Sequence, residues 1–78
     1  MANPRFYCDP KNSDKLALGA QVKLSDNAAM HATRALRLDI GDLVILFNGD
    51  GNDYHGELSF IKKGEVIAKI NSIQTIEN

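Results

Sequence analysis

In the segment HATRALR, His31, Arg34 and Arg37 recur at three-residue spacing, and in PRFYC Arg5 and Tyr7 stand two apart. These residue types, so spaced, could act on a polyanion. Arginine's planar fork matches phosphate oxygens, and its flat face stacks on bases. A cation beside an aromatic ring is the usual equipment for single-stranded RNA, through backbone attraction and base stacking. Neither Arg34 nor Arg37 has an acid four positions before it, since Met30 and Thr33 stand there, so helical ion pairs of that kind are absent. Each pattern also has a plainer reading. The cations would form a solvated helix surface near a C-terminus, where they complement the dipole. Tyr7 would pack at the edge of a sheet. The residues alone leave both readings open.

Other constellations fall away on inspection. DGNDYHGE (50–57) has Tyr54 at the fifth position of a calcium loop and His55 where the obligatory glycine belongs. NGDGNDYHG lacks the Lys-Ser/Thr ending of a phosphate-cradling loop and no helix follows it. His31 and His55 lie on different elements without ligand-like spacing, so no metal site is expected. Cys8, the only cysteine, cannot form an internal disulfide; it reads as a small buried hydrophobe with no paired base in view. Asp50 and Asp53 read as acids of a hairpin turn rather than as an acid–base pair.

The elements that must position Arg5, Tyr7 and the HATRALR residues follow from periodicity. RFYC (5–8) predicts a short strand with Phe6 and Cys8 on one face and Arg5 and Tyr7 on the other. DPKNSD (9–14) is a polar turn region. Ala20, Val22 and Leu24 alternate with Gln21, Lys23 and Ser25, as in a half-buried strand. Ser25 and Asp26 supply a helix start, the alanine-rich run that follows favours helix, and Gly41 is its expected stop. At ~100° per residue, Ala28, Ala29, Ala32, Ala35 and Leu36 share one arc. His31, Arg34 and Arg37 fall opposite, with Met30.

DLVILFN (42–48) is apolar on both faces, like a central or barrel strand. NGDGN is a hairpin turn. Beyond it Tyr54, Gly56, Leu58 and Phe60 share a face opposite His55, Glu57 and Ser59, and KKG makes the next turn. Val66, Ala68 and Ile70 alternate, but the apolar positions then shift to Ile73 and Ile76, which predicts a bulge near Asn71. Five or six short strands and one short helix point to a mainly β domain, a small barrel with a helix against it. An SH3-like or oligonucleotide-binding barrel fits this pattern equally well.

Composition sets the remaining bounds. Seventy-eight residues make one small domain. No apolar run approaches the ~18 residues of a membrane span, and MANPRFYCDP lacks a signal peptide's apolar core, so a cytoplasmic location is the default expectation. A formal net charge of −1 gives no global attraction for nucleic acid, so any such function must rest on a local patch.

PRFY, HATRALRLDIGD and LVILFNGDG, in that order, resemble the N-terminal domain of the ribosomal RNA small subunit methyltransferase E family. The resemblance runs from Pro4 to about Ile76. It implies a PUA-like β-barrel that helps to bind RNA, spanning residues 1–78 as the N-terminal part of a longer enzyme. The family's reaction is methylation of N3 of a uridine in small-subunit (16S) ribosomal RNA. Its catalytic part is a knotted α/β domain that holds S-adenosylmethionine and usually dimerises, and it would follow Asn78. By this resemblance the chain carries RNA-contact residues, Arg5, Tyr7, His31, Arg34 and Arg37, but no catalytic, cofactor or metal residues. Asn48-Gly49-Asp50-Gly51 matches the family pattern and would serve chiefly the hairpin. Its partner would be ribosomal RNA or a small-subunit particle, with no membrane involved. The competing function is a structural barrel packing on the catalytic domain or a dimer partner, motivated by Met30, Ile73 and Ile76; a free-standing RNA-binding module is a third.

Overall fold

The computed structural model describes residues 3–8, 16–62 and 64–76. Alternation of apolar and polar residues sets the first two strands, β1 (Arg5–Tyr7) and β2 (Gln21–Lys23). Phe6 and Cys8 point inward from the first, Val22 and Leu24 from the second, as their spacing predicts. The expected turn over DPKNSD lies outside the described residues.

Next comes α1 (Asp26–Met30), whose start is fixed by Ser25: its hydroxyl accepts from the Ala28 N–H at 3.2 Å, with Asp26 in the first turn. Three further strands complete the chain: β3 (Leu43–Phe47), β4 (Asn52–Lys62) and β5 (Glu65–Thr75). The five strands make one sheet in the order β1-β3-β4-β5-β2, with β1 parallel to β3 and every other pair antiparallel. The domain is therefore mainly β with one short helix. The expected barrel does not close, because β1 and β2 are the two edges and no ladder joins them among the described residues.

Two bulges bend the long β4–β5 hairpin. His55 pairs with Ser72 and Gly56 with Ile70, which leaves Asn71 as an extra residue where the parity change predicts one. A second register shift falls between Leu58 and Phe60. No parity change in the sequence marks it, and it corrects the placement of Phe60. With Ser59 as the extra residue, Phe60 turns to the outer face and is 38% exposed, while Ile61 takes the inward position. Gly56, beside the first bulge, has no room for a side chain: a Cβ would collide with the backbone carbonyl of Lys69.

The core is the inner face of this bent sheet, filled mainly by Leu46, Leu58, Ile70, Val22, Val44 and Val66. Ala29 and Ala32 press the helical segment onto it with no exposed surface. β3 lies between β1 and β4, a central strand as its apolar run predicts; on its outer face Ile45 and Phe47 are half-buried and only Leu43 is exposed. No helix among the described residues is long and apolar enough to cross a membrane.

Candidate nucleic-acid interface

The helix does not run on to Gly41. After Met30 the backbone widens into a π turn over His31–Ala35, closed by the Leu36 N–H donating to the His31 carbonyl five residues back. Within it the Thr33 hydroxyl donates to the Ala29 carbonyl at 2.9 Å, a back-bond of the kind that bends helices. Arg37 then ends the segment at φ 51°, a left-handed conformation usual for glycine. The Leu38 N–H caps the end by donating to the Ala32 carbonyl, one residue wider than the corresponding α-helical bond. Gly41 serves the following Asp39–Asp42 turn, with φ 93° and the Asp42 N–H donating to the Asp39 carbonyl.

This geometry corrects the expectation of one regular helical face. Ala35 and Leu36 are exposed rather than packed, because the wider turn rotates them off the sheet. His31 meets Phe6 edge-on, with ring centroids 6.3 Å apart, and so abuts β1. Arg34 borders a shallow groove with Asn27, Met30, His31 and Ala35. Arg37 leaves the helix altogether. Among the described residues neither Arg34 nor Arg37 forms an ion pair, and both are exposed.

Arg5 and Tyr7 project from the opposite face of β1 to Phe6. They therefore do not join His31, Arg34 and Arg37 in one patch; the sheet separates two sets. Arg5 is not free either. Its guanidinium reaches across β3 to Asp53 on β4, donating from Nη1 to Oδ2 at 2.6 Å and from Nη2 to Oδ1 at 2.9 Å. On the way it lies over Phe47, with Cζ 5.0 Å from the ring centroid. Tyr7 leans on the same ring, with centroids 5.6 Å apart and the planes at 59°. Hydrogen bonding to Asp53 holds the Arg5 guanidinium above its already high pKa, so its charge is permanent.

Asp53 is the residue that sequence reasoning missed. It is 5% exposed, a strand residue on β4 and not a turn acid. The one available signal was parity with His55 and Glu57 on an outward face; its partner lies 48 positions away and only the strand order brings them together. The adjoining turn does behave as expected. Asn48 and Asp50 side chains accept from the Asp50 and Asn52 N–H groups, and Gly49 and Gly51 adopt positive φ. Cys8 is buried, and burial pushes its thiol pKa up, which suits packing and not nucleophilic attack.

Comparison with known proteins bears on the domain as a whole. No curated protein matches the sequence at a significant level. Among solved structures, the chain superposes on a protein described as a methyltransferase from Legionella pneumophila, in complex with S-adenosylmethionine, with a TM-score of 0.87 and 26% identity. That alignment covers 100% of this chain and 31% of the other. It also superposes on the ribosomal RNA small subunit methyltransferase E from Neisseria gonorrhoeae bound to S-adenosylmethionine, with a TM-score of 0.82 and 30% identity, covering 99% of this chain and 30% of the other. The chain thus spans about a third of the length of these structures. A sequence profile described as RNA methyltransferase PUA domain matches residues 24–71, a span that holds the helical segment and all of β3 and β4. Covering more than half of the sequence, that match makes the chain a member of the RNA methyltransferase PUA domain family.

Proposed function

We propose that this chain is the RNA-docking domain of an S-adenosylmethionine-dependent methyltransferase that acts on N3 of a uridine in small-subunit (16S) ribosomal RNA. The domain holds the RNA, as free ribosomal RNA or in a small-subunit particle, in the cytoplasm. The cofactor and the transfer chemistry belong to a further, dimer-forming domain of the parent enzyme. The observation that carries this reading is the pair of exposed arginines at the end of the helical segment, unpaired among the described residues, in a domain of this family. His31 adds a third group that can donate to phosphate. The name of the Neisseria gonorrhoeae neighbour supports the ribosomal substrate.

The affinity of the chain for a small-subunit ribosomal RNA fragment, measured across a salt series, tests it. Each phosphate contact contributes roughly 0.7–0.9 to the slope of log K against log salt, so an Arg34→Ala/Arg37→Ala double variant lowers the slope by about 1.5. An unchanged slope removes the helix end from the mechanism. A second reading, a docking surface for the catalytic domain or a dimer partner, draws on the exposure of Met30, Ile73 and Ile76. Deleting residues 1–78 from the full-length enzyme separates the two: loss of RNA binding with the dimer intact favours RNA docking.

A further inference from the structure

We infer that Arg5, Phe47 and Tyr7, with Asp53 as their positioning residue, form a second RNA subsite that stacks one unpaired base, separate from the phosphate-binding helix end. The inference rests on the RNA-docking reading above and adds a chemically different contact to it. Tyr7 is 54% exposed although its ring is tilted against Phe47, so much of the ring is open to a ligand. Arg5 lies over the same Phe47 ring. The Arg5 side chain is half exposed while the Asp53 side chain beneath it is only 8% exposed. The two hydrogen bonds to Asp53 fix the guanidinium plane and use part of its donor set, leaving the remaining N–H groups for a base edge or a phosphate oxygen.

Beside this shelf runs a shallow groove bordered by Arg5, Phe47, Gly49, Gly51, Asn52 and Asp53. Its two glycines place no side chain in the way, so a neighbouring nucleotide can lie against the turn. The electrostatics set the subsite apart from the helix. Arg5 is neutralised by Asp53, so binding here releases few counterions, and its contribution comes from stacking and directed hydrogen bonds. The helix end answers to salt; the shelf answers to the presence of a base.

The test compares a short mixed-sequence single-stranded RNA with the same backbone made abasic, titrated into the chain by fluorescence anisotropy over a salt series. The expected result is tighter binding of the base-bearing strand. Tyr7→Ala then weakens that strand about 5- to 100-fold, leaving the abasic affinity and the salt slope unchanged. Tyr7→Phe retains the preference. Arg5→Lys keeps the charge but loses the planar fork, and it narrows the preference in the same way. Asp53→Asn does likewise and Asp53→Glu restores part of it; because Asp53 is buried, the surface variants at positions 5 and 7 decide if these two unfold. Wild-type preference for bases retained in both Tyr7→Ala and Arg5→Lys, while Arg34→Ala/Arg37→Ala still lowers the slope, overturns the subsite and leaves the docking function standing. A wild-type chain that binds neither strand at any salt overturns both.

Discussion

A single arginine held at φ 51° sets the stability of the backbone against its proposed part in RNA docking. A side chain in the left-handed region costs about 1 kcal/mol relative to glycine, and glycine is the residue most often found at a helix end of this shape. Arg37 occupies that position with its side chain exposed and unpaired among the described residues. Arg37→Gly is therefore expected to raise stability by about 1 kcal/mol, or roughly 4–8 °C in Tm for a domain of this size, while weakening RNA binding and reducing the salt slope by about one contact. Thermal melting and the salt series read the two effects separately. A variant that melts lower would show that the side chain stabilises the fold, and one that binds RNA as before would clear Arg37 of an RNA role. Arginine at 37 was legible as a cation, but its detachment from the helix was not, since a regular wheel has no place for a π turn.

The β3–β4 hairpin shows how an element ties its turn to the core. Tyr54 is buried on the inner face, and its hydroxyl reaches out to donate to Asp50 in the turn. That bond, the leading cause in both cases, lowers the Asp50 carboxyl pKa and raises the Tyr54 hydroxyl pKa. A depressed carboxyl pKa contributes stability present above its unfolded value of about 3.9, lost as pH falls through the folded value. A raised hydroxyl pKa contributes stability present below about 10, lost as pH rises through the folded value. Stability should thus hold between roughly pH 4 and 10 and decline on both sides, and Tyr54→Phe should shrink both limbs. Circular dichroism melts at a series of pH values check this, and a variant with both limbs intact would place the dependence elsewhere. Elements of this kind were largely readable: Ser25 as cap, the NGDGN turn and the Asn71 bulge each left a local mark in the sequence. The bulge at Ser59 left none, because Phe60 continues an apolar alternation that a straight strand would also show. Asp53 was misplaced for a related reason, since an ion pair across three strands depends on topology, which local periodicity does not carry.

At the scale of the whole molecule, a net charge of −1 has to coexist with a proposed polyanion partner. The molecule measures 35 × 30 × 20 Å, and screening sets how much of it a bound phosphate senses. At about 0.1 M salt the Debye length is ~10 Å, so charges on the far side of the sheet contribute little; at about 0.01 M it is ~30 Å and spans the protein. Glu57 sits on the outer face of β4, across the sheet from the helical segment, whereas Arg34 lies on that segment. Glu57→Gln and Arg34→Gln each change the charge by one unit. Near 0.15 M salt Glu57→Gln should leave RNA affinity unchanged while Arg34→Gln weakens it. Near 0.01 M Glu57→Gln should tighten binding by an amount that begins to match the loss at Arg34. Parallel titrations at the two ionic strengths check this directly. Equal and opposite effects at both salts would mean that the partner responds to net charge alone, and the placement of the arginines by the π turn would then have no bearing on recognition.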